Sequence, residues 1–441
     1  MRSHLSNATY GVLDYAAYPM AMLLAAPTLL HHLGISQYGV WVVCTAAVST
    51  GGIIASGFGD ANIQHIATQR SRNDKQSLIR AVRSMVGINL LLGLVIATVS
   101  FLLVPVVASH VVSSAGQLFI ACVWSLRLAS LLMLVRALES VCVSTQRAFE
   151  RYGDAIRVSV LVRIVTVAIA ALISQFGYGV TSIMLFTFVL MTIGTVVQLW
   201  QVKRLVEAPS LVPMFDREAF RVLFAFGIFT WLQAISGVIF SQADRLILGV
   251  SLGATVVAAY ALCVQLAQPI YGIAASGLHF LFPYLAGRNA TAEPGDLRRP
   301  ILIAVGVNVL FVAVASIAVV LVGRPLMQAW VGEEIARSSS AVLVPIVVSF
   351  ALLGLNVTAY YALLALGRVR IVTSLNLIGG AVMLLLTALM LPTMSVRGVA
   401  LARLAYGLIT LGMYYPLLRA VFFVVDLRSS APGSNPVCEE V

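Results

Sequence analysis

The sequence predicts an all-α, polytopic membrane protein with about twelve transmembrane helices. Three observations carry this. Of 441 residues, 60% are hydrophobic and only 10% charged, against about 25% charged in a soluble domain. Mean hydropathy is +0.98. Long windows also lack Asp, Glu, Lys and Arg: Val86 to Ser109, Ile301 to Gly323, Ala341 to Gly367 and Ile371 to Val396. Each exceeds the roughly 20 apolar residues that cross a bilayer as a helix. One water-soluble body cannot hide so much apolar surface, so lipid must be part of the solvent.

The spans follow in chain order. Span 1 (11–31) holds Asp14 and Pro19 and reads as a retained helix, with no cleavable leader pattern. Span 2 (38–58) runs into the glycine-rich stretch at Gly57 and Gly59. Spans 3 (84–109) and 4 (117–143) flank a short external turn, and spans 5 (155–175) and 6 (179–200) complete a first set of six. Span 7 (222–241) precedes an uncharged stretch from Leu246 to Gly287, read as an external loop plus span 8 (254–280). Span 9 (301–322), an external loop from Gly323 to Ser340, and spans 10 (341–366), 11 (371–392) and 12 (398–423) finish the chain.

Positive charge sets the orientation. With the N-terminus in the cytoplasm, 20 of the 28 Lys and Arg fall inside. Only Arg245, Arg324, Arg337 and Arg397 fall outside, and Arg127, Arg136, Arg163 and Arg403 lie within spans. Both termini are therefore expected in the cytoplasm. The +11 net charge is mainly this topology signal. Its basic residues are scattered over short loops, so no nucleic-acid partner is expected. The five cysteines share no external loop, and no disulfide is expected.

An internal repeat divides the chain. Leu33-Gly34, Tyr38 and Ala55-Ser56-Gly57 match Leu252-Gly253, Tyr260 and Ala275-Ser276-Gly277. The expected domains are a lobe over 1–200, a cytoplasmic linker over 201–221, a lobe over 222–425 and a tail over 426–441. Six helices per lobe give both the same orientation. No Walker-type loop, zinc-spaced His/Cys set or Gly-x-Ser-x-Gly occurs, so no cofactor or metal is expected. Gly57, Gly59 and Gly277 read first as glycine caps at helix ends. Their second reading is gating or close helix packing.

Several stretches together resemble one family. They are "PTLLHHLGISQYGVWVV" (Pro27 to Val43) with "GFGD" closing the hairpin, "STQRAFERYGDAIRV" (Ser144 to Val158), "SQADRLILGVSLGATVVAAYALC" (Ser241 to Cys263) and "ALLALGRVR" (Ala362 to Arg370). In this order they are similar to bacterial polysaccharide flippases of the multidrug/oligosaccharidyl-lipid/polysaccharide exporter superfamily. The resemblance implies a transporter, not an enzyme, with two six-helix lobes around a central cavity in the bacterial inner (plasma) membrane. It implies as substrate a polyprenyl-diphosphate-linked glycan, an O-antigen or exopolysaccharide repeat unit. Membrane lipid, a polymerase and other glycan-assembly proteins are the further partners.

Charges inside the bilayer are costly and so are functional candidates. An anionic diphosphate calls for arginine, whose planar fork donates in pairs. Arg127 is expected about 15 Å deep in span 4, facing the cavity. Arg136, about 180° around the same helix, is expected to pair with Glu139 three residues on. Arg163 in span 5 and Arg403 in span 12 complete the cationic set. Asp14 and Glu139 are the candidates for ion coupling or for pairing with an arginine. Asp244 and Arg245 read as a salt bridge at the outer rim. The five tryptophans, Trp200 and Trp231 among them, read as interfacial anchors. Gln265, Gln268, Tyr360 and Tyr361 are alternative cavity-lining or core residues. Two other classes stay open. A drug antiporter of the same superfamily would favour buried acids. A membrane-embedded glycan polymerase or ligase would need a large external loop.

Overall fold

The computed structural model describes residues 2–55, 59, 62–63, 66, 69–70, 74–112, 116–149, 151–214, 231–232, 235, 237–279, 281–282, 284–285 and 297–423, with side chains of the first helix from residue 20 onward. Among these residues every regular element is helical. In order they are α1 (Arg2–Ala55), α2 (Lys75–Val111), α3 (Gln117–Ala148), α4 (Tyr152–Gln175) and α5 (Val180–Leu205). A π turn (Ile239–Ala243) then leads into α6 (Asp244–Leu252), α7 (Ala254–Leu278), α8 (Arg298–Val331), α9 (Glu333–Ala365), α10 (Val369–Leu411) and α11 (Tyr414–Leu418).

Nine helical stretches among the described residues are long and apolar enough to cross a membrane. Two of them hold a break. As one rod, the 54 residues of α1 would run about 80 Å, far beyond a 30 Å hydrocarbon core. At Gly34 the backbone turns to φ 72°, ψ 164°, a region essentially closed to residues with a side chain. The break divides α1 into spans 1 and 2. Likewise α10 breaks at Ser395 (φ 53°, ψ −134°) and carries spans 11 and 12.

These breaks correct the expected external loops. Spans 7 and 8 are joined by Gly253 alone (φ 86°, ψ 172°) between α6 and α7. Spans 9 and 10 are joined by Gly332 alone (φ 86°, ψ 166°). The uncharged stretch after Leu246 is helix up to Leu252, not loop. Apolar side chains at these helix ends keep winding until a glycine lets the chain reverse. The beginning of span 7, residues 215–230, lies outside the described residues.

Burial separates central from peripheral helices. Met20–Ile54, Ala254–Leu278 and Ser339–Ala365 each bury 61% of their apolar window, whereas Lys75–Val111 buries 17% and Arg298–Trp330 11%. One continuous core joins Leu29, Tyr38 and Val43 of α1 to Tyr260 and Val264 of α7 and Ile346 of α9. The peripheral helices α2 and α8 turn their apolar faces to the surroundings. A helix apolar on its outward face is at home in lipid.

The helix ends near Asp74 and Glu207 carry polar chemistry. Asp74 caps α2 by accepting the N–H groups of Gln76 and Ser77 at 3.1 Å each. Lys75 pairs with Glu207 just past α5. Residues 206–214 then run back along α2, where the Met214 N–H donates to Arg83 O at 3.2 Å.

Candidate functional site

A fully buried ion pair lies in the second half. The π turn shifts the helical bonding by one residue, a feature frequent at functional sites. It stands directly before Asp244. Arg403 of α10 donates through Nη1 to the Asp244 carboxylate and to the Phe240 carbonyl within the π turn at 3.0 Å. The Tyr260 hydroxyl donates to the same carboxylate at 2.6 Å, and the Arg245 N–H at 2.8 Å. The guanidinium carbon lies 4.1 Å from the centre of the Phe240 ring and 4.9 Å from that of Phe350. Both charged side chains are 0% exposed. The expected outer-rim bridge of Asp244 with Arg245 is thus replaced by a buried bridge to span 12. Ending span 7 at residue 241 hides this pair from a sequence reading. The apolar run Leu246, Ile247, Leu248 after Asp244 is the signal that the helix continues.

The first half holds a second cluster. Arg136 pairs with Glu139 at 2.6 Å, as expected from their spacing. The Ser159 hydroxyl donates to Glu139 at 2.9 Å, and Gln198 of α5 donates to Ser159 at 2.9 Å. Arg163 of α4 adds a second positive charge to the field at Glu139. Gly52 of α1 lies against this group, since a Cβ there would stand 3.2 Å from Cβ of Arg136. Arg136 thus bonds the Glu139 carboxylate directly, and the Arg163 charge acts on it through space.

Arg127 lies elsewhere. Its guanidinium carbon is 5.2 Å from the Trp124 ring centre and 5.3 Å from that of Phe101, and both rings are exposed. Ile120, Trp124 and Leu131 are exposed along the same stripe of α3. Arg127 thus stacks on two exposed aromatics, Trp124 of its own helix and Phe101 of α2. Gly57 and the side chain of Asp14 lie outside the described residues. Among the described residues no tight packing surrounds the other two glycines. A Cβ on Gly59 would meet only Ser140 Oγ, at 3.9 Å, and one on Gly277 nothing within 4 Å.

Close approach occurs instead where the second limb of α1 meets the start of α7. A Cβ on Gly39 would overlap the Ala254 carbonyl oxygen at 1.8 Å. Ser36 and Thr255 hydroxyls stand 3.5 Å apart, and Gln265 donates to the Tyr38 hydroxyl at 3.0 Å. The second limb of α1 and the start of α7 thus pack tightly against each other there. At the opposite end Trp231 donates to the Ile54 carbonyl at 2.8 Å, so this tryptophan bridges helices and is no simple anchor. Tyr361 bonds the Ala275 carbonyl at 3.1 Å.

The family model described as "Polysaccharide biosynthesis protein" matches residues 32–336. The chain belongs to the polysaccharide biosynthesis protein family. No curated protein sequence matches it. This family member is similar in fold to a multidrug resistance MATE family transporter of the MOP superfamily in an inward-facing conformation. Identity is 15% over 95% of this chain and 100% of that one, with a TM-score of 0.74. It is also similar to the lipid II flippase MurJ in an inward closed conformation, with 13% identity, coverage of 96% and 94%, and a TM-score of 0.75. An outward-facing MATE transporter of the MOP superfamily superposes with a TM-score of 0.55 at 15% identity, coverage 96% and 97%. At these identities the likeness fixes the fold. This polysaccharide biosynthesis protein has the membrane-transporter fold, with multiple spans.

Proposed function

We propose that the protein is a flippase. It carries a polyprenyl-diphosphate-linked oligosaccharide, an O-antigen or exopolysaccharide repeat unit, from the cytoplasmic to the periplasmic leaflet of a bacterial inner membrane by alternating access. Both termini are cytoplasmic in this reading. The observation that carries it is the sign of the buried charge. Among the described residues the two acids buried within spans, Glu139 and Asp244, are both answered by arginine. The first-half cluster places Arg136 and Arg163 around Glu139, guanidinium donors suited to an anionic diphosphate and not to a cationic drug. We assign Arg136 and Arg163 to diphosphate attraction and Arg403 to holding the second half together. Arg127 receives no substrate role.

The lobe division over 1–200 and 222–425 belongs to the same reading. Its support is a register of chain reversals. Gly34 pairs with Gly253, Gly116 with Gly332 and Gly177 with Ser395, all at positive φ, with near-constant separations (253 − 34 = 219, 332 − 116 = 216, 395 − 177 = 218). The helix ends agree. The Arg151 N–H donates to Gln146 O and the Arg368 N–H to Leu363 O, each five residues back. Two halves with matching reversals, sealed at one end, suit rocking about the seal.

The test is cellular. Bacteria lacking the protein should accumulate the lipid-linked oligosaccharide inside and lose the surface polymer, and the wild-type chain should restore it. Normal polymer together with new drug sensitivity would transfer the protein to the antiporter class.

A further inference from the structure

On the outer flank of the first half, α2, α3 and α5 leave a groove of about 350 Å³. Leu90, Leu138, Leu199 and Trp200 form its walls, Leu211 contributes from the strap after α5, and Lys203 stands at its edge. The strap is firmly seated. Arg83 Nε donates to the Val212 carbonyl at 2.9 Å, and a Cβ on Gly87 would lie 2.4 Å from Met214 O. Leu211 and Pro213 of the strap close part of the groove's lining.

Walls of this kind are filled by hydrocarbon, because an empty space forfeits dispersion contacts and water gains no partners. The edge adds charge. Lys203 and Arg204 occupy the last turn of α5, both exposed, with the Arg204 guanidinium carbon 3.6 Å from the Trp200 ring centre. Glu207, the acid next in sequence, is engaged by Lys75, and no acid lines the groove among the described residues. The edge therefore keeps net positive charge. No described wall comes from the second half, so motion between halves does not have to open or close it.

We propose that this groove seats an anionic phospholipid, one acyl chain along Leu90, Leu138 and Leu199 and its phosphate on Lys203 and Arg204. A basic pocket between membrane helices at the cytoplasmic side recognises such headgroups. The seat rests on the N-in orientation proposed above only for the naming of the leaflet. Its occupant is resident lipid, distinct from the molecule that passes between the halves.

Trp200 reports on the seat directly. The full chain is reconstituted in bilayers holding chain-brominated phosphatidylglycerol or chain-brominated phosphatidylcholine at equal mole fraction. The Trp200 contribution to fluorescence is the difference between wild type and Trp200→Phe. The anionic lipid should quench it at a mole fraction lower by about fivefold for each cation. Lys203→Gln with Arg204→Gln should abolish the preference. Should that variant fail to insert, 1 M salt on the wild type must remove the preference instead. Equal quenching by both lipids overturns the proposal. So does displacement of phosphatidylglycerol by a stoichiometric polyprenyl phosphate, which would make the groove a substrate site. Equal quenching leaves the flippase reading untouched, and that reading fails separately if deletion leaves the surface polymer intact.

Discussion

Arg403 and Asp244 meet in the second half with neither side chain reaching solvent, tying α10 to the helix that ends in Leu252. Removing one partner of a buried pair leaves an uncompensated charge and costs about 3–5 kcal/mol. Arg403→Gln and Asp244→Asn should each lower stability by about that amount in detergent unfolding, and the double variant should cost less than the sum. The resulting coupling, measured as a double-mutant cycle, should exceed about 1 kcal/mol. Single variants as stable as wild type would show that the pair is idle.

The contact between the second limb of α1 and the start of α7 predicts a cross-link. In a background without native cysteines, Ser36→Cys with Thr255→Cys should form a disulfide on mild oxidation, since the hydroxyls stand 3.5 Å apart. Transport should stop and return on reduction. A cross-linked protein that still transports would mean that this end never opens.

The reversals make opposite predictions for two small residues. Ser395 holds φ 53°, a conformation that strains any residue with a Cβ. Ser395→Gly should therefore stabilise by about 1 kcal/mol. Gly253→Ala, at φ 86° with a would-be Cβ 3.3 Å from Val111 O, should destabilise by about 1–3 kcal/mol. Thermal unfolding of the two variants beside wild type decides the signs.

Much of the fold is legible in the residues themselves. The hydropathy and the Arg136–Glu139 spacing are local signals, and they read correctly as helices and an ion pair. What stays hidden depends on tertiary placement. The partner of Asp244 is Arg403, 159 residues away, and no periodicity reveals it. Depth along a helix puts Arg127 near the midplane but says nothing of which face turns outward. The stripe Ile120, Trp124, Leu131 shows that face only once α2 and α5 flank it. External loops read as too long because a single glycine can reverse a helix.

The cap on α2 gives a pH prediction. Hydrogen bonds from Ser77, first from its hydroxyl and then from its N–H, hold the Asp74 carboxyl below its ordinary value of 3.8. A depressed carboxylate contributes stability above its unfolded pKa and loses it as pH falls through the folded one. The Gln76 and Ser77 amides should thus stay protected from hydrogen exchange through neutral pH and lose protection below about pH 4. In Asp74→Ala the protection should already be low at pH 7. Full protection in that variant would mean that the cap is dispensable.

The most direct test of the central claim is leaflet transfer by the purified chain. Liposomes carry a labelled polyprenyl-diphosphate oligosaccharide in the inner leaflet, and a lectin outside captures what crosses. The flippase reading predicts capture that rises with protein, stops in the oxidised Ser36→Cys/Thr255→Cys protein and resumes on reduction. Capture equal to that of protein-free vesicles, with the chain correctly inserted, would contradict it.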